Sequence, residues 1–159
     1  MIQGHTHIDH IGALSDFPNV PIVIAEAERA LPKPIYWEEA QPIEWPDQEY
    51  VHFTEDTNIG PGFEVLLVPG HAPEQLALLI ESPETGCVLL TSDAISRPAE
   101  IAQEFEGSWD QALARQHSVR LVEIAERTGA VNVYGHSPEQ WPTLWKAPQT
   151  YTLLQVAHK

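Results

Sequence analysis

A chain of 159 residues is long enough for one compact domain with its own core and too short for two ordinary ones, so residues 1–159 read as a single domain. Lysine and arginine number 8 against 23 aspartates and glutamates; the formal charge of -15 repels phosphate backbones and anionic lipid, which excludes nucleic acid and membrane surfaces as partners. With no basic segment leading an apolar stretch, no run near the ~20 apolar residues of a membrane span and a single cysteine, Cys87, the expectation is a soluble cytoplasmic protein with an inert, buried thiol.

In chain order the first feature is chemical. His5-Thr6-His7-Ile8-Asp9-His10 places four metal-capable side chains in one short stretch. In an extended segment His5 and His7 point the same way, and a turn after His7 sends Asp9 and His10 to a neighbouring point, so two metals become accessible. Imidazole and carboxylate suit zinc, iron, cobalt or manganese, and the absence of thiolates points to an open, catalytic type of site.

An apolar run at 20–24 then reads as a buried strand. Residues 31–48 hold Pro32, Pro34, Pro42 and Pro46 beside Tyr36, Trp37 and Trp45; this is a long aromatic loop, covering the sheet or forming a wall of a substrate pocket. His52 lies in the strand-like Tyr50–Phe53. Like His158 in the tail, it has no chemical context. Further strands are expected at 63–68, 76–80, 88–90 and 131–134, with Ser82-Pro83-Glu84-Thr85-Gly86 turning the second into the third as an antiparallel hairpin. Residues 108–128 read as a helix, with Ser108 capping toward Gln111 and Gly129 ending it. Its apolar stripe is Trp109, Leu113, His117, Leu121 and Ile124, on which His117 is expected as a hydrogen-bonded core histidine.

His71 in Val68-Pro69-Gly70-His71, Asp93 in Leu90-Thr91-Ser92-Asp93 and His136 in Val133-Tyr134-Gly135-His136 each follow an apolar run. In a layered α/β protein the ends of neighbouring strands form one edge, where such loops converge. The order His5-x-His7-x-Asp9-His10, then His71, Asp93 and His136, resembles the metallo-β-lactamase superfamily over most of the chain. Within it, Asp9-His10-Ile11-Gly12, Pro69-Gly70-His71-Ala72-Pro73, Leu89-Leu90-Thr91-Ser92-Asp93-Ala94 and Gly135-His136-Ser137-Pro138-Glu139-Gln140 look most like N-acyl-homoserine lactone lactonases.

The resemblance implies an α/β fold of the αββα sandwich type. It implies that His5, His7 and His71 bind one divalent metal, that Asp9, His10 and His136 bind a second, and that Asp93 bridges both, zinc being expected. It implies a hydrolase of a small ester-like substrate, a lactone first and a thioester of the glyoxalase-II kind as the alternative, with a noncatalytic metal-binding fragment as the third reading. Two cations lower the pKa of water held beside them and polarise a carbonyl; Asp9 then carries the proton to the leaving oxygen. Tyr36, Trp37 and Trp45 are candidates for gripping an acyl chain.

Two departures from the family stand out. Ser96 occupies the place where the lactonases carry a tyrosine that holds the substrate carbonyl, and the Pro-Gly-His run after the metal-binding histidine becomes Pro73-Glu74-Gln75. The metal motif also begins at residue 5, where the family places several strands before it. The fold is therefore expected to be incomplete at the amino terminus, its orphaned sheet face covered by a second copy of the chain, another polypeptide or an amino-terminal stretch outside this sequence.

Overall fold

The apolar runs become strands because each has one face to bury. The computed structural model describes residues 1–34, 44–146 and 148–149. Its strands are β1 (Ile22–Ala25), β2 (Tyr50–Phe53), β3 (Thr57–Gly60), β4 (Phe63–Leu67), β5 (Leu76–Ser82), β6 (Gly86–Ser92) and β7 (Val131–Tyr134). Three single-turn helices, α1 (Ile8–Ile11), α2 (Glu26–Arg29) and α3 (Ala99–Ala102), accompany one long helix, α4 (Gln111–Thr128).

The strands form a parallel pair, β1-β2, and a five-stranded sheet in the order β3-β4-β5-β6-β7, antiparallel except for the parallel β6-β7 pair. Residues 1–3 extend the smaller sheet: Val23 donates to Met1 O at 2.7 Å and Gln3 donates to Val23 O at 2.8 Å. Along β1 the pleat alternates, Ile22 and Ile24 packing with Ile11 and Leu14 while Ala25 packs with Val65 and Leu76 of the larger sheet. On the far side Leu66, Ala77 and Leu89 meet Ala114, Leu121, Ile124 and Ala125 of α4. The result is a thin version of the expected αββα arrangement, with α4 outside one sheet and α1 outside the other.

The β5–β6 hairpin turns where the proline-glycine signal stands, with Ser82 opposite Gly86 and Gly86 at φ 82°. The start of α4 differs from expectation. Asp110, not Ser108, is the cap, its carboxylate accepting from the Leu113 amide at 3.0 Å. The buried stripe is Ala114, Ser118, Leu121, Ile124 and Ala125, whereas Leu113 is 37% and Trp109 66% exposed. His117 is half-buried with an unpartnered Nδ1, so it is not the fully hydrogen-bonded core histidine expected. Cys87 is likewise half-buried on β6 and not enclosed.

One face is only partly covered. Leu78 and Leu90 stand opposite each other, as do Ile80 and Val88, with Val131 and Val133 next to them on β7. These side chains share the face on which Val65 and Leu76 meet β1, yet all are half-buried. No helix among the described residues is long and apolar enough to cross a membrane.

Candidate metal centre

Strand direction brings the ligands together. β4 and β6 both run antiparallel to β5, and β7 runs parallel to β6, so β4, β6 and β7 all end on the edge where β5 begins. His71, Asp93 and His136 leave the sheet at that edge. Residues 5–10 reach it because Leu76, at the head of β5, donates to Gly4 O at 2.7 Å. His7 then caps α1, and the single turn Ile8–Ile11 points Asp9 and His10 toward Asp93 and His136.

Two groups result. His5, His7 and His71 form one, and Asp9, His10, Asp93 and His136 the other, with the ligand-capable atoms of each group within 4.8 Å of one another. Asp93 sits between them: its carboxylate lies 3.9 Å from His5, 3.5 Å from His10, 3.6 Å from His71 and 3.2 Å from His136. Asp9 stands at the rim, 3.4 Å from His10 and 3.3 Å from His136.

Burial divides the group electrostatically. It pushes the imidazoles of His5, His7 and His71 below their ordinary range, His71 to about 4. For His10 burial works the same way, but the hydrogen bond and charge of Asp93 and the charge of Asp9 carry it above its ordinary value. Burial would raise Asp93; the His10 hydrogen bond and the His5, His10 and His71 charges hold it down at about 2.

The donor set fits cations. Both ring nitrogens of His5 and Oδ1 of Asp93 are buried without a hydrogen-bond partner. Leaving such atoms unpaired costs roughly 1–3 kcal/mol each, and His5, which offers one ligand atom to the first group, is a residue that a metal there would satisfy. The backbone is pared back to allow this: a Cβ at Gly135 would lie 2.5 Å from Asp93 Oδ1, and one at Gly4 would lie 2.7 Å from Ser92 Oγ. Ser92 takes the uncommon φ of 48° immediately before Asp93, a strained turn that aims the carboxylate inward.

Supporting contacts tie the loops to the scaffold. Asp110 N donates to Gly70 O at 2.8 Å and Trp109 N to His71 O at 3.2 Å, seating the His71 loop on the start of α4. Gln140 mimics a neighbouring strand for β7, donating to Asn132 O at 2.6 Å and accepting from Tyr134 N at 3.0 Å, and so holds the loop that carries His136. Ser96 is nearly enclosed; its amide donates to Glu100 at 2.7 Å and its carbonyl accepts from His136 N at 2.8 Å.

Trp45 packs beside Ile11, Leu14 and Tyr50, donating to Leu31 O at 2.9 Å with the Arg29 guanidinium over its ring at 4.8 Å. Tyr36, Trp37 and His158 fall outside the described residues. Sequence reasoning missed Glu28, wholly buried, and Gln75, also wholly buried. A glutamate in Glu26-Ala27-Glu28-Arg29 looks solvated; the signal was its place on the turn that follows an apolar strand.

The model of the metallo-beta-lactamase superfamily matches residues 4–143. The N-acyl homoserine lactonase AiiA of Bacillus thuringiensis subsp. kurstaki is 34% identical over 144 residues, covering 88% of this chain and 56% of that protein. The N-acyl homoserine lactonase AttM of Azorhizobium caulinodans is 30% identical over 164 residues, covering 95% of this chain and 62% of that protein. Among solved structures, an N-acyl homoserine lactone hydrolase with N-hexanoyl-L-homoserine bound at its catalytic metal centre superposes with a TM-score of 0.78 at 28% identity, covering 93% of this chain and 59% of the other. The chain thus spans about 56% of the length of the first of these relatives.

Proposed function

The chain belongs to the metallo-beta-lactamase superfamily, and from that premise we propose that it is a dinuclear metal-dependent hydrolase acting on a small ester-like bond, a lactone of the N-acyl homoserine class. The observation that carries this reading is the pair of adjacent ligand-capable groups, with the Asp93 carboxylate 3.6 Å from His71 of one and 3.2 Å from His136 of the other, in a chain 34% identical to an N-acyl homoserine lactonase.

His5, His7 and His71 would hold one divalent ion and Asp9, His10 and His136 the other, with Asp93 common to both; the donor set favours zinc and also suits iron, cobalt or manganese. When bound, such ions supply Lewis acidity, lowering the pKa of nearby water and polarising a carbonyl. The chain's own residues do the rest. Asp93, enclosed and anionic, offsets cationic charge between the groups, while the more exposed Asp9 is placed to move a proton to the leaving oxygen. Ser96 stands where the lactonases carry a tyrosine that holds the substrate carbonyl. The net charge of -15 makes a polyanionic substrate unfavourable.

Metal content per chain, measured beside Asp93→Ala, tests the reading together with a panel of lactones and thioesters. Two ions in the wild type, fewer in the variant, and lactone turnover are expected. Two ions without turnover would leave a metal-binding module, and faster thioester cleavage would move the substrate class.

A further inference from the structure

We propose that Glu28 is a positioning residue for the His5, His7 and His71 group, its buried carboxylate locking two chain segments distant in sequence into one register. Glu28 lies on α2 with no exposed surface. One carboxylate oxygen accepts from the Thr6 hydroxyl at 2.7 Å, and the other accepts from the Glu74 amide at 3.3 Å. Thr6 stands between His5 and His7, and Glu74 lies three residues beyond His71. The tie closes from the other side: the Glu74 carboxylate accepts from the Ala27 amide at 2.7 Å, so the two glutamates each grip backbone beside the other.

A buried carboxylate is a costly way to fill space, and an apolar side chain of similar volume would fill it better. Burial does push the Glu28 carboxyl up, against the hydrogen bonds from Thr6 and Glu74 that hold it down. What the carboxylate adds is two acceptors aimed at two segments. A leucine would remove both acceptors, and with them the side-chain tie that runs from the His5–His7 segment through α2 to the His71 loop. Asp93 and His136 of the other group are held separately, at the ends of β6 and β7 and by the hydrogen bond from the His136 amide to Ser96 O, whereas Asp9 and His10 follow the His5–His7 segment on α1. Loss of the Glu28 tie is therefore expected to act more strongly on the first group than on the second.

This inference rests on the reading of the two groups as metal sites. The test is calorimetric zinc titration and cobalt absorption of metal-free wild type, Thr6→Val, Glu28→Gln and Glu28→Ala, with His71→Ala and His136→Ala assigning the two binding steps. Thr6→Val and Glu28→Ala are expected to weaken the His71-assigned step by roughly 10- to 100-fold and the His136-assigned step much less. Glu28→Gln, which keeps one acceptor, should fall between. No change in the first step, or equal weakening of both, overturns the proposal. Should Glu28→Ala not fold, Thr6→Val decides. A wild type that binds no metal refutes the functional reading instead. The tie is then judged by hydrogen exchange at the Glu74 amide, which is expected to rise at least tenfold in folded Glu28→Ala or Glu28→Gln; unchanged exchange overturns it.

Discussion

His71 carries the plainest acid-base consequence of the site. Its folded pKa of about 4 lies below the ordinary 6.5 because burial disfavours the charged ring. A depressed folded pKa means stability that is present above 6.5 and is lost as pH falls toward 4. For this one group the loss is about 3 kcal/mol. Urea unfolding of the metal-free protein across that window should show the decline, to which the buried His5 and His7 also contribute, and His71→Asn should make it shallower; an unchanged slope would assign it elsewhere. His10 behaves oppositely. Its raised pKa leaves it more protonated than an ordinary histidine at the same pH, so zinc entering its group should release more protons than zinc entering the His71 group, where burial favours the neutral ring. Titration in buffers of different ionisation enthalpy measures the difference. At this scale the histidines and aspartates were legible because residue type and spacing advertise metal affinity. Glu28 was not, since an enclosed glutamate and a solvated one are spelled the same way.

Among the elements, α4 shows where periodicity stops being informative. The stripes 113-117-121-124 and 114-118-121-125 share Leu121 and are centred about 75° apart on the helix, and both contain apolar residues. The choice is made by Gly70, whose missing Cβ lets the His71 loop lie against the helix: a Cβ there would come within 2.2 Å of Ala114 N, at a φ of 139° that side chains avoid. Gly70→Ala should therefore cost about 2–4 kcal/mol and displace His71. Both effects can be read in one set of proteins, by thermal unfolding and by zinc affinity; an unperturbed melt would show that the loop can move aside freely. The cap was misplaced for a related reason. Ser108 has the better capping-box spacing, but Asp110 N is drawn to Gly70 O and its carboxylate faces the Leu113 amide. Asp110→Ala is expected to lower stability by ~1 kcal/mol, and Ser108→Ala to leave it unchanged. The strands were easier to read, because a run of valine, isoleucine and leucine between turn residues leaves few alternatives.

Over the whole molecule, two opposing features set how the chain behaves in solution. A formal charge of -15 drives copies apart. Against this stands the row of Leu78, Ile80, Val88, Leu90, Val131 and Val133, half-buried on a sheet face whose neighbouring part is already covered by β1. Apolar area of this kind on a sheet is a site of association when nothing lies over it. Screening decides between the two: at about 0.15 M salt charges more than ~8 Å apart are largely hidden from one another, while apolar contact is unaffected. The chain is therefore expected to self-associate more as salt rises, which distinguishes apolar association from pairing of opposite charges. Sedimentation at low and high salt measures this, and Ile80→Lys or Val88→Lys should return the monomer while leaving the metal groups, on the far edge of the sheet, able to bind zinc. A monomer at every salt concentration with cooperative unfolding would show that the small sheet and the described loops cover the core sufficiently on their own.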